Sequence, residues 1–121
     1  MAENKEYFTQ EMENGSIQIS EDVVASVTGM AVLEVEGVCG LSSTIGTDIA
    51  EMLGMKTLSK GVRLSSTESG ALRIDCDVVA KFGQNIFELA KNVQENVKSS
   101  VESVTGLTVG EVNVTVCGIA L

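Results

Sequence analysis

The chain has 121 residues, a formal net charge of −9, 44% apolar residues and 3% aromatics, with neither histidine nor proline. That length fits one domain rather than two, and so few aromatics force an aliphatic core. Missing histidine removes the commonest general base and metal ligand, while the acidity disfavours nucleic-acid phosphates and anionic lipid surfaces alike.

Residues 1–14 are polar and unpatterned, with Glu3, Glu6, Glu11 and Glu13 set against Lys5 alone. They read as a disordered acidic tail ahead of a single domain over 15–121. The chain opens with charges instead of a basic and then apolar stretch, so no signal peptide is expected. Its longest uncharged runs are about half of the roughly 20 residues that a membrane span requires, so no direct membrane insertion is expected either. Cys39, Cys76 and Cys117 are odd in number and form no C-x-x-C pair. Reduced thiols and a cytoplasmic location follow as expectations, without a zinc site.

Ser16 to Ser20 alternates, with Ile17 and Ile19 on one face, and predicts a short strand. A helix is predicted over 21–35, capped by Ser20, with Glu21 and Asp22 at the positive end of its dipole. Val23, Val27 and Met30 line its expected inner face, with Val24 and Ala31 beside them. Residues 40–60 read as an insertion, with a short helix near Asp48 to Leu53. Gly61 to Thr67 and Ala71 to Phe82 form a predicted hairpin across Glu68-Ser69-Gly70, with Val62, Leu64, Leu72, Ile74, Cys76, Val78 and Ala80 facing inward.

The last third is the most strongly patterned. Ile86, Ala90, Val93, Val97, Val101 and Val104 recur every three or four residues, a single stripe along one helix. Asn85 caps its start and Gly106 ends it in a left-handed turn. The period then switches to two, with Val112, Val114 and Val116 facing one way and Glu111, Asn113, Thr115 and Cys117 the other. Val35-Glu36-Gly37-Val38 and Val104-Thr105-Gly106-Leu107 end the two helices alike, which suggests two related halves. The predicted fold is α+β, a two-layer sandwich in β-α-β-β-α-β, ferredoxin-like order. Two helices pack on one face of a mainly antiparallel sheet.

Four groupings invite a chemical reading. Asp75 and Asp77 share one strand face and could hold a hard cation, but Arg73 and Lys81 on that face make it look solvated. Cys39, in a glycine-flanked loop, could act as a nucleophile or line a small-molecule pocket, yet no histidine exists to activate it. Gly37-Val38-Cys39-Gly40 formally matches the GxxG loop of KH-type RNA-binding modules, without their basic residues. Glu88, Lys91, Glu95, Lys98 and Glu102 form an opposite-charge ladder along the long helix. Ile119 and Leu121 carry the final strand to the end of the chain, where an open sheet edge could recruit a second strand, including that of another copy.

Phe82-Gly83, Asn85-Ile86, Glu88-Leu89-Ala90, Val93-Gln94-Glu95, Val97, Thr105-Gly106-Leu107 and Val112-Asn113-Val114 resemble the signature of the alkaline shock protein family of Gram-positive bacteria. Ser16-Ile17-Gln18-Ile19-Ser20 and Glu34-Val35-Glu36-Gly37-Val38 resemble its amino-terminal half. The likeness covers roughly residues 15–120, and Phe87 stands where many members have proline. It implies a non-enzymatic scaffold or regulator in cell-envelope stress and homeostasis, without cofactor, metal or catalytic residues. Its implied partners are proteins, such as a membrane anchor or a lipid-synthesis enzyme, because short members are linked with membrane-lipid metabolism. The alternatives are a KH-like RNA-binding module and a small-molecule-binding or enzymatic domain built on the Cys39 loop.

Overall fold

A computed structural model describes residues 7–42 and 61–121. The helix expected near Asp48 to Leu53 lies outside the described residues. Two strands open the described chain, β1 (Tyr7–Met12) and β2 (Gly15–Ser20), followed by helix α1 (Glu21–Leu33). Strands β3 (Val38–Leu41), β4 (Val62–Ser66) and β5 (Leu72–Lys81) come next, then helix α2 (Ile86–Thr105) and strand β6 (Val109–Ala120).

Strand β5 is the axis of the main sheet. β3 lies antiparallel to its residues 78–80 and β4 antiparallel to its residues 72–76, end to end along the same edge. The backbone of Asp77 pins the junction, its carbonyl accepting from Ser42 N and its N–H donating to Gly61 O. On the other edge β6 runs parallel to β5 over its whole length. A parallel neighbour needs a long connection, and α2 supplies it. The α+β class and the mainly antiparallel sheet therefore stand, with β5–β6 as the parallel pair.

The ferredoxin-like order does not hold. β2 pairs with β1 in a separate two-stranded ribbon and does not enter the main sheet. Residues 7–12 correct the expected tail: they are a strand, because Phe8 and Ile19 face each other and pack against the core. Gln10 Nε2 donates to Gly106 O at 3.0 Å and holds the ribbon against the end of α2. The first half of the chain thus lacks a counterpart to the β5–α2–β6 unit, whatever the echo between the helix ends.

The core lies between the helices and the inner sheet face. Leu72, Ile74, Cys76, Val78 and Ala80 of β5 are buried against Leu89, Val93, Val97 and Val101 of α2. Asn85 Oδ1 accepts from Glu88 N at 3.0 Å, and Gly106 closes the helix at φ 77°, as the sequence predicts. Helix α1 buries a different face from the expected one. Val24, Ala25, Thr28, Gly29, Ala31 and Val32 point inward, while Val23 and Met30 are exposed. Thr28 tolerates full burial because its hydroxyl donates to Val24 O at 2.9 Å, leaving no polar atom unpaired.

Candidate interaction surfaces

The outer face of the sheet carries the carboxylates singled out above. Arg63 grips Asp77 in a fork, Nη1 to Oδ2 at 2.8 Å and Nη2 to Oδ1 at 3.2 Å. The side-chain hydrogen bond to Asp77 is the main reason the Arg63 pKa is raised. Asn113 Nδ2 donates to Asp75 Oδ1 at 2.8 Å and to Glu111 Oε2 at 3.0 Å, and Arg73 Nε reaches Glu111 Oε2 at 3.3 Å. Asp75 and Asp77 are therefore engaged with separate partners instead of converging on a vacant point. Among the described residues no group of three or more Cys, Asp or Glu side chains is placed to hold a metal ion.

The cysteines fall at three unlike places. Cys76 is fully buried, and burial first, then the Asp77 and Asp75 carboxylates, push its thiol up to about 12. Cys39 and Cys117 are exposed, each within a register shift of its strand against β5. Cys39 thus corrects the loop reading, since it belongs to β3. The GxxG match runs from the turn at Gly37 into β3, with Gly37 O accepting from Lys81 N at 2.8 Å. A Cβ at Gly37 (φ 98°) would come within 2.6 Å of Gln84 Oε1 and 2.7 Å of Leu89 Cδ1, so packing requires that glycine. No backbone-clamping role is needed to account for it.

A depression of about 440 Å³ opens between the end of α1 and the middle of α2, away from Cys39. Glu34, Glu36 and Glu95 line it with Asn92 and Asn96. Asn96 already donates to Ala31 O at 2.7 Å and Glu34 Oε1 at 3.3 Å, tying the helices together. Val35 completes the lining, which includes no nucleophile.

The feature that composition did not announce is apolar and exposed. Phe82 and Phe87 are 72% and 76% exposed, in a chain with three phenylalanines. Phe82 N donates to Ala120 O at 2.9 Å, which sets Phe82 beside the end of β6. There Ile119 and Leu121 are also exposed, and Phe87 stands on the first turn of α2 above. Four large apolar side chains thus stand exposed at the end of the molecule where β5 and β6 end and α2 begins. The sequence signal for it was two of the chain's few aromatics, Phe82 and Phe87, five residues apart across the β5–α2 turn.

The remaining surface is the outer edge of β6. α2 stands over it, with Gln94 Nε2 donating to Val112 O at 2.9 Å and Glu102 Oε2 accepting from Val109 N at 2.9 Å. Among the described residues no helix is long and apolar enough to cross a membrane.

Comparison with known proteins finds relatives of this chain. The chain is 39% identical over 103 residues to the uncharacterized protein Spy1614 of Streptococcus pyogenes serotype M6, covering 84% of each. It is 36% identical over 107 residues to the uncharacterized protein YloU of Bacillus subtilis, covering 87% of this chain and 88% of the relative. It is also 31% identical over 105 residues to YqhY of the same organism, likewise uncharacterized, covering 87% and 77%. No solved structure matches the chain. A family model described by a cell envelope-related function matches residues 9–121, from the ribbon through the final strand, and the chain belongs to that alkaline shock protein family.

Proposed function

We propose that this chain is a non-enzymatic scaffold or regulatory protein of cell-envelope homeostasis that acts through protein–protein contact. The observation that carries the reading is the apolar end built by Phe82, Phe87, Ile119 and Leu121. Clustered apolar side chains held in water are unfavourable unless something covers them, and rings are the preferred anchors of protein interfaces. The engaged carboxylates of the sheet face support the same reading, because each has a structural partner and none is poised over a cleft. The tie to membrane-lipid metabolism and to a membrane anchor rests on the resemblance to short family members alone.

The test is affinity capture of the tagged protein from its native cell, analysed by mass spectrometry, with the double variant Phe82→Ser/Phe87→Ser alongside. Both rings are mostly exposed, so the variant should fold normally. A lipid-synthesis enzyme or membrane anchor, retained by the natural chain and lost with the variant, is the expected outcome. Recovery of ribosomes or RNA alone, unchanged by the variant, would overturn it in favour of the RNA-binding reading.

A further inference from the structure

We propose that two copies of this chain pair through the outer edge of β6, the two strands antiparallel and the two α2 helices side by side on one face. This inference goes beyond the functional reading above, which concerns the apolar end, and either can fail without the other.

The edge carries side-chain bonds from α2 at Val109 N and Val112 O and is open beyond them within the described residues. Strand β6 bonds β5 on one side only, within the described residues. The carbonyl of Val112 faces the other way, since Gln94 reaches it from α2, whereas the carbonyl of Asn113 faces β5, near Cys76 Sγ at 3.8 Å. Backbone groups two residues apart point alike, so Val114 and Val116 also present N–H and C=O outward. Soluble proteins blunt such edges with lysine, proline or inward charges. The twelve residues of β6 hold one charged side chain, Glu111, and Arg73 engages it.

An open edge does not by itself name its partner; the helix above it does. Lys91, Glu95, Lys98 and Glu102 follow one another at intervals of three and four along α2. By helical spacing they share the outward side of α2, with Lys98 and Glu102 toward β6 and Glu95 at the crown, where it also borders the depression toward α1. Glu102 reaches Val109 N, and Glu95 and Lys98 line a groove of about 190 Å³ against residues 109–112. Asn96, on the opposite flank, faces α1. The ladder reads plus, minus, plus, minus. Laid antiparallel on a copy of itself, about a two-fold axis between Asn96 and Val97, it sets Lys91 against Glu102 and Glu95 against Lys98, each pair occurring twice. Laid parallel in register, it sets like against like. A strand added at β6 brings its own helix alongside in the antiparallel sense, so backbone pairing and charge pairing demand the same two-fold. Gln94, which covers the carbonyl of Val112 in the single chain, yields that acceptor to the incoming strand.

The test is the mass of the full chain in solution by sedimentation or light scattering, with circular dichroism to verify folding. The natural chain should form a dimer that weakens with added salt. Lys91→Glu/Lys98→Glu makes the ladder wholly acidic from exposed positions, and should raise the dimer Kd about tenfold or more. Mixing it with Glu95→Lys/Glu102→Lys should restore a dimer containing one of each. Three results would overturn the proposal: a monomer at every soluble concentration, a dimer indifferent to the acidic ladder, or a lost dimer that mixing does not restore.

Discussion

At Cys76 the inner and outer faces of the sheet meet in one titration. Its thiol is buried among aliphatic side chains, while Asp75 and Asp77 point to the other face on either side of it. Both effects oppose the thiolate, and the folded value rises to about 12 from an ordinary 9.0. Between those values the unfolded chain gives up a proton that the folded chain keeps, so folding stability falls as pH rises. The contribution is complete below about 9 and lost by about 12. Denaturant midpoints measured across that window should fall more steeply for the natural chain than for Cys76→Ala, which differs only in lacking this thiol. Equal slopes would show that this thiol is not held neutral. The inward direction of Cys76 was legible, because the alternation from Leu72 to Ala80 has no interruption on that face. The register shifts at Cys39 and Cys117 were not, because an extra residue in one strand shows only once the partner strand is known.

The two helices differ in how much their patterns settle. Helix α2 has one apolar stripe on a polar cylinder, so its buried face could be read directly, and Val93, Val97 and Val101 are fully buried. Val97→Ala should cost about 2 kcal/mol in urea denaturation, from lost burial and the cavity left behind. Val104→Ala, on the same stripe but 65% exposed at the last turn, should change stability by less than about 0.5 kcal/mol. Equal losses would mean that the stripe stays packed to the end of the helix. Helix α1 is apolar almost all the way round, so several phases fit its sequence equally well. Packing chose the one that puts Thr28 and Gly29 inside, where a small side chain and a self-satisfied hydroxyl allow close approach. Ribbon β1–β2 was hidden for another reason. Its first strand, Tyr7–Met12, is polar on one face, and its partner Ile19 lies beyond a turn at Glu13 and Asn14. The Asn14-Gly15 pair at the tip was the available signal.

At the scale of the molecule, one face of the sheet is sheltered by both helices and the other is a mesh of ion pairs and hydrogen bonds. A two-layer architecture of this kind leaves its distinctive surfaces at the ends and edges. The α+β class followed from the order of patterned segments, since helical stripes need a sheet to lie on. Pairing order did not follow, because beyond the Asn14-Gly15 turn signal nothing in the sequence separates an outlying β1–β2 ribbon from a member of the main sheet. The candidate surface was half legible: Ile119 and Leu121 stood out as an apolar chain end. Their meeting with Phe82 and Phe87 depended on β6 lying parallel beside β5.

The most direct test places a photo-activatable phenylalanine analogue at position 87, and separately at position 73 on the outer sheet face, in the native cell. Contact through the apolar end predicts discrete protein adducts from position 87 and few from position 73. Adducts to nucleic acid, or an equal yield from both positions, would contradict it.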